Sequence, residues 1–172
     1  LNDIYKLSQI NSNIYFILRF KLIDWINIQY FKEIIEKIEN AKNIEISKDY
    51  SKFNISYDLA SNSSLIIAKH TSLVEECLSY GLPVLIHDYT HNVSQTFLPS
   101  INYEPLDIFC NSYEELLTKS KIILEKSPSE FMNENEKNLK NYFILSNKKN
   151  IKKNINNVLN DIYSSIENNH VN

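Results

Sequence analysis

Short apolar runs recur along the chain, and turn signals or helical patterns separate them. A continuous apolar run of a few residues is typical of a strand that is buried on both faces of a sheet. The runs predict five strands, at residues 14–18, 44–46, 65–68, 84–86 and 106–110. We expect the first of them, residues 14–18, to be buried on both faces because all its positions are apolar or aromatic.

Segments with apolar residues three and four positions apart lie between these strands and predict helices. They cover residues 1–10, 31–38, 56–61, 72–80, 112–126, 129–145 and 149–166. Strands that alternate with helices form parallel sheets through right-handed crossovers. The pattern therefore predicts an α/β fold over residues 1–172, a single domain. We expect a Rossmann-like parallel sheet of about five strands with helices on both faces, followed by extra C-terminal helices.

Gly81 is the single glycine of the 172-residue chain, and it directly follows the predicted helix 72–80. Glycine accepts the left-handed backbone that closes a helix, and Pro83 lies two residues further on, where a helix has ended. We therefore expect the helix to stop here and the next strand to begin. The lone glycine also excludes a GxGxxG loop and a Walker loop, so a phosphate would have to be bound without a glycine-rich loop.

Two helices begin with the spacing of a capping box, in which a serine and a glutamate three residues later bond to each other's backbone N–H groups. The pairs are Ser72 with Glu75 and Ser112 with Glu115. We expect both serines to cap their helices.

The segment before the helix 72–80 has the chemistry of an anion site. Exposed N–H groups and the helix dipole at a helix start attract negative charge. The hydroxyls of Thr71 and Ser72 add donors there, and Lys69 or His70 adds positive charge. This arrangement would bind a phosphate without glycine.

Glu76 is one residue beyond the predicted capping box and is not needed for it. A carboxylate at this place can accept hydrogen bonds from two vicinal hydroxyls, such as those of ribose. The alternative is a capped helix with Glu76 in water, and the spacing alone favours that alternative.

Further polar residues follow two other predicted strands, where ligands of parallel sheets bind. Arg19 and Lys21 can neutralise phosphate or be ordinary strand-end charges. His87, Asp88 and His91 can contact a sugar or phosphate group of a bound ligand, or belong to a polar surface. The spacing completes no metal site around them, so we expect no metal and no cofactor.

Composition narrows the function classes. The chain is 43% hydrophobic and 23% charged, as in an ordinary globular protein, and its net charge of −3 argues against general nucleic-acid binding. Two isolated cysteines, Cys77 and Cys110, are expected to be core thiols. No signal peptide and no membrane-spanning run are found, so we expect a cytoplasmic location, either free or peripheral to the inner membrane.

The segment 60–86 resembles the donor-nucleotide segment of GT-B glycosyltransferases. Both contain an apolar strand after a polar turn, a hydroxyl cluster, a glutamate, four residues, Gly-x-Pro and a second strand. The resemblance implies that Glu76, five residues before Gly81, contacts the ribose of the donor, and that Thr71 and Ser72 contact its diphosphate. Residues 110–116 also resemble that family's strand and following helix, and residues 14–21 resemble bacterial enzymes that build surface glycans.

The resemblance implies a glycosyltransferase that moves a sugar from a nucleotide donor to a bacterial capsule, lipopolysaccharide or teichoic acid. Its partners would be the nucleotide sugar, a glycan or lipid-linked acceptor, and an N-terminal domain that supplies the general base. Because the chain begins at Leu1 within helix-like sequence, we expect it to be the C-terminal half of such an enzyme. Two alternatives remain: a polyol-phosphate transferase that uses a CDP-linked glycerol or ribitol donor, and a non-catalytic Rossmann-like assembly module.

Overall fold

The computed structural model describes residues 1–20, 22–48, 55–69, 71–87 and 106–142. The chain divides into two compact units, Leu1–Asn62 and Ser63–Asn172. Each unit has its own parallel sheet. The helix predicted at residues 149–166 lies outside the described residues.

The first unit alternates helices with two short strands. Its elements are α1 (Asn2–Ile10), β1 (Phe16–Leu18), α2 (Lys32–Glu39), β2 (Ile44–Ile46) and α3 (Ile55–Ser61), with 3-10 turns at Asp24–Asn27 and Gln29–Phe31 between β1 and α2. β1 and β2 are parallel, with Phe16 opposite Ile44 and Leu18 opposite Ile46. The helices and strands of this unit agree with the sequence pattern, whereas the 3-10 turns were not expected.

One face of the β1–β2 sheet forms the core of the first unit. Ile44 and Ile46 are buried there against three buried isoleucines of α2, namely Ile34, Ile35 and Ile38. Phe16 and Leu18 of β1 join the same cluster, together with the aromatic rings of the 3-10 region. The isoleucines are spaced so that one stripe of α2 covers the sheet.

The other face of this sheet is open, which corrects the expectation for residues 14–18. Successive side chains of a strand alternate between faces. Tyr15 and Ile17 therefore lie opposite the core and are 56% and 42% exposed. The hydroxyl of Tyr15 donates to a carboxylate oxygen of Glu45 on β2 at 2.8 Å. A run that is apolar at every position does not reveal whether anything covers its second face.

Asn43 joins α1 to both strands. Its side-chain amide donates to the carbonyls of Ser8, Ile14 and Asn11, at 2.9, 3.1 and 3.2 Å. Its own carbonyl accepts a hydrogen bond from the backbone N–H of Phe16 at 2.8 Å. One residue directly before β2 thus satisfies backbone groups at the end of α1 and in the turn that leads to β1.

The second unit contains a three-stranded parallel sheet and three helices in the described residues. The elements are β3 (Ile66–Ala68), α4 (Leu73–Ser79), β4 (Val84–His87), β5 (Phe109–Cys110), α5 (Tyr113–Leu124) and α6 (Pro128–Tyr142). The strand order is β3–β4–β5. The central strand β4 is buried at all four positions, and α4 and α5 pack against it.

The fold is mixed α/β with parallel strands, as the sequence pattern predicts. The five described strands form sheets of two and three, and a single five-stranded sheet is not shown. β5 is shorter than expected because Leu106 is buried in a turn and Asp107 adopts a left-handed backbone with φ of 49°. A residue in that conformation cannot continue an extended strand.

Gly81 ends α4 as expected, with φ of 71°. The N–H of Gly81 bonds to the carbonyl of Leu78 at 2.9 Å, and the N–H of Leu82 bonds to that of Cys77 at 3.0 Å. This pair of bonds is the Schellman motif. A Cβ atom at Gly81 would also collide with the side chain of Met132 on α6, whose Cγ would be 3.1 Å away.

Pro128 lies shortly after the end of α5 and begins the next helix. It occupies the first position of α6, where its missing N–H costs nothing. Ser127 and Glu130 form a capping box around it: the Glu130 N–H donates to Ser127 Oγ at 3.2 Å, and the Ser127 N–H donates to Glu130 Oε2 at 2.7 Å.

Both cysteines are buried free thiols in the second unit, which confirms their expected place in the core. Burial is the main reason that the pKa of each, Cys77 and Cys110, is raised to about 11. Among the helices that the structure describes, none combines the length and apolar character needed to cross a bilayer.

Candidate functional site

The carboxyl ends of β3, β4 and β5 lie at one edge of the second unit's sheet because the three strands are parallel. Thr71 and Ser72 follow β3, and His87 is the last residue of β4. The structure thus brings these three predicted residues to the same edge, where ligands of open α/β sheets bind.

The other predicted residues are placed differently. Arg19 belongs to the first unit, directly after β1, and its Nε and Nη1 atoms are buried. Lys21, His70, Asp88 and His91 lie outside the described residues.

The start of α4 differs from the expected capping box. Ser72 has helical backbone angles, φ −57° and ψ −22°, and its side chain makes no cap hydrogen bond. A capping residue needs an extended backbone to turn its side chain back onto the helix. Instead, the hydroxyl oxygen of Thr71 accepts a bond from the N–H of Leu73 at 3.3 Å, and the Thr71 carbonyl accepts from Val74 at 3.1 Å. Thr71 therefore acts as the cap, one residue earlier than predicted.

The same Ser-x-x-Glu spacing does give a serine cap at α5, although the glutamate bonds to the residue before the serine. Ser112 has extended angles, φ −142° and ψ 167°, and its Oγ accepts from the N–H of Glu115 at 3.1 Å. Glu115 Oε2 accepts from the N–H of Asn111 at 2.8 Å. The backbone of the serine therefore decides between the two outcomes.

This difference changes the donors available at the start of α4. Ser72 is exposed, and its hydroxyl is not used by the cap. Thr71 is also exposed, and its hydroxyl accepts from the backbone while its own O–H remains a donor. Lys69, at the end of β3, is exposed beside them.

Glu76 is the fourth residue of α4 and is half-buried. It lies beside the buried stripe formed by Val74, Cys77 and Leu78, and its negative charge adds to the effect of burial on the pKa of Cys77. Side chains of a helix lean toward its N-terminus. The Cα–Cβ bond of Glu76 therefore tilts toward the end of α4 that carries Thr71.

His87 extends β4 by one residue beyond the predicted strand and is only 7% exposed. It stands opposite Cys110 in the parallel register, and its Nδ1 lies 3.2 Å from the Cys110 carbonyl oxygen. The continuous apolar run stops at Ile86, so the sequence gives no signal that His87 is enclosed by the sheet.

Sequence reasoning also missed Lys119 of α5. Its side chain is 21% exposed, and its Nζ donates to Asp107 Oδ1 at 2.6 Å and to the Phe109 carbonyl at 2.7 Å. These contacts hold the turn before β5 in its left-handed conformation. Lys119 therefore has a structural role at the opposite, amino end of β5.

The described surface has a shallow depression elsewhere, between α1 and α2 of the first unit. It encloses about 410 Å³ and is lined by Tyr5, Gln9, Glu33, Glu36, Lys37, Asn40 and Ala41. None of the predicted site residues lines it. The ammonium of Lys37 pairs with Glu33, which lowers the pKa of Glu33 and raises that of Lys37. Glu36 pairs with Lys32 outside the depression, so each charged group of the lining already has a counter-ion. We therefore place the candidate site at the sheet edge instead.

In the described residues, no three His, Cys, Asp or Glu side chains come together as a metal site. The expectation that no metal takes part stays a prediction.

The chain matches no protein-family model, and comparison with curated proteins and with solved structures gives no significant match.

Proposed function

We propose that this chain is the donor-nucleotide-binding part of a glycosyltransferase of the GT-B type that builds a bacterial surface glycan. In this proposal the chain is a Rossmann-like domain and the C-terminal half of a two-domain enzyme. The observation that carries it is the β3–α4–β4 unit. Glu76 stands five residues before the glycine that ends α4, and Thr71 and Ser72 open the same helix at the carboxyl edge of the sheet.

In this proposal the phosphates of the donor bind at the start of α4. A departing sugar leaves negative charge on the nucleotide phosphate, and donors that already point at this charge stabilise the transition state. The hydroxyls of Thr71 and Ser72 supply such donors, and His70 and Lys69 adjoin them in sequence. Asp88 belongs to the same proposal by its position after the predicted strand 84–86. No metal is needed for this stabilisation.

In this proposal the ribose of the donor binds to Glu76. A carboxylate accepts hydrogen bonds from both hydroxyls of a ribose, and bonds to a charged group contribute about 1.5–3 kcal/mol. Glu76 is half-buried, so water competes for it less than for the exposed Glu75. The acceptor, a glycan or a lipid-linked sugar, and the general base would be bound by the N-terminal domain.

Calorimetric titration of the chain with UDP, GDP, CDP and CMP tests the proposal. Glu76→Gln keeps the shape of the side chain and removes its charge, and Glu75→Gln on the same helix is the matched control. We expect Glu76→Gln to weaken nucleotide binding about tenfold or more, and Glu75→Gln to leave it within about twofold. Circular dichroism and thermal unfolding would confirm that both variants are folded.

The outcomes separate the alternatives. Binding of CDP in preference to the other nucleotides would favour a polyol-phosphate transferase. If no nucleotide binds at millimolar concentration, the proposal fails and a non-catalytic assembly module is favoured. If Glu76→Gln and Glu75→Gln weaken nucleotide binding equally, Glu76 does not bind the ribose.

A further inference from the structure

Met132 is the single methionine of the chain, and its thioether lies directly against the backbone of Gly81. The Sδ atom occupies the place that a Cβ atom of Gly81 would take, and the Cγ and Cβ atoms of Met132 would lie 3.1 and 3.4 Å from that atom. The methionine side chain therefore crosses the residue that ends α4. Such a close approach is possible because glycine has no side chain of its own.

The contact joins two distant segments of the second unit. Gly81 lies between α4 and β4, whereas Met132 is the fifth residue of α6. On the same helix Phe131 and Leu139 are buried, while Met132 is partly exposed. Solvent therefore reaches Met132, although its sulfur is packed against Gly81.

The thioether of a methionine reacts with peroxides at the sulfur. The sulfur takes one oxygen atom from hydrogen peroxide, the O–O bond breaks and water leaves, so the sulfur loses two electrons and the peroxide gains them. The product, methionine sulfoxide, is polar where the thioether was apolar. At Met132 the oxygen is added to the atom that fills the space above Gly81. A larger and more polar group there does not fit the packing that the thioether makes.

We infer that Met132 is an oxidation site, and that its sulfoxide releases α6 from the end of α4. This inference goes beyond the proposed function and needs no nucleotide. The other two sulfur atoms of the chain belong to Cys77 and Cys110, which are buried. Burial raises the pKa of both thiols to about 11, and the thiolate is the form that peroxide attacks. We therefore expect Met132 to take up oxygen before either cysteine.

Hydrogen peroxide treatment of the folded chain, followed by peptide mass spectrometry, tests the reactivity. We expect one oxygen atom to be added at Met132, and the two cysteines to stay reduced. Met132→Leu is the matched control because leucine has a similar volume and no sulfur. Two results would overturn the oxidation site. One is oxidation of the cysteines before Met132, and the other is a Met132 that stays reduced while free methionine in the same solution is consumed.

Hydrogen–deuterium exchange of the full chain measures the release of α6. After oxidation we expect the amides of Pro128–Tyr142 to exchange about tenfold faster or more, together with those of Gly81 and Leu82, whose N–H groups close α4. Exchange in the first unit, Leu1–Asn62, should stay unchanged and serves as the internal control. The unfolding midpoint of the second unit should fall by about 2 °C or more.

Two further samples separate a specific effect from general damage. Peroxide-treated Met132→Leu should exchange as the untreated variant does. Treatment of the oxidised chain with methionine sulfoxide reductases and a thiol reductant should restore the original exchange, because sulfoxide formation is reversible. Unchanged exchange in α6 after complete oxidation of Met132 would overturn the release. Exchange that becomes equally faster in both units, or in treated Met132→Leu, would overturn it as well.

Discussion

The side chain of Met132 on α6 occupies the space that a side chain at Gly81 would need. Gly81 is therefore required twice: its φ of 71° closes α4, and its lack of a Cβ admits α6. The sequence predicts the first requirement from the helix that precedes the glycine. The second depends on a residue fifty-one positions later and is visible only in the fold.

We expect Gly81→Ala to lower the free energy of unfolding by about 2–5 kcal/mol. The left-handed backbone costs a non-glycine residue roughly 1–2 kcal/mol, and overpacking adds about 1–3 kcal/mol. Urea unfolding in the presence and in the absence of Met132→Ala separates these parts. In the Met132→Ala background only the backbone cost should remain, and an equal cost in both backgrounds would show that the contact contributes nothing.

Two serines with the same motif should respond differently to substitution. Ser112→Ala removes a cap hydrogen bond and should lower the free energy of unfolding by about 1 kcal/mol. Ser72→Ala removes no cap bond and should change it by less than about 0.5 kcal/mol. Chemical denaturation of the two variants measures both values. Similar losses would mean that Ser72 does cap α4 in solution.

Asn43 is expected to tolerate aspartate worse than alanine at neutral pH. Asn43→Ala leaves carbonyls without their donor, at a cost of about 1–3 kcal/mol, whereas Asn43→Asp also directs a carboxylate at the same carbonyl oxygens. In acid the carboxyl group is protonated and can donate one hydrogen bond. The difference in stability between Asn43→Asp and Asn43→Ala should therefore become smaller. Thermal unfolding at several pH values measures this.

The matched control for Asn43 is Asn40→Ala, which removes a single bond to the Glu36 carbonyl from an exposed side chain. Its effect should be clearly smaller than that of Asn43→Ala. If the two are equal, the three carbonyl contacts of Asn43 contribute no more than one exposed bond.

Glu130 should make the start of α6 sensitive to acid. The backbone N–H of Ser127, and then its hydroxyl, hold the pKa of Glu130 below its usual value of 4.5. Because the folded-state pKa is the lower one, the resulting stabilisation is present above pH 4.5 and is lost as the pH falls through the folded-state value. The difference in unfolding midpoint between the unmodified chain and Glu130→Gln should therefore be constant near neutrality and change below pH 4.5. If the difference in unfolding midpoint does not vary with pH, Glu130 does not make the start of α6 sensitive to acid.

Much of the local structure could be predicted from the sequence. Ile44–Ile46 is a strand with the predicted bounds, and β3, β4, α2 and α4 lie within one or two residues of their predicted positions. These elements depend on periodicity and on the residues at their ends, which are local properties. The stop of α4 at Gly81 is local in the same way.

The failures share a different cause. Whether Tyr15 and Ile17 are covered depends on what packs against the second face of the sheet, and that is not encoded in the run itself. Whether Ser72 caps α4 depends on its backbone angles, which the preceding strand and turn set. For the candidate site, the sequence predicted Thr71, Ser72, Glu76 and His87, and their roles in binding stay predictions. It did not foresee that the Cys110 carbonyl would orient His87, because that contact joins two strands 23 residues apart.

The bonds of Asn43 also bear on the order in which the first unit folds. They span 29 to 35 residues, so they can form only after the intervening segment has closed into a loop. α1 has only nine residues, and an isolated helix of that length is marginal in water. A chain that ends before Asn43 would therefore lack these three hydrogen bonds, and α1 would have only its apolar contacts with the core cluster to hold it. During synthesis the bonds can form only once residue 43 has left the ribosome.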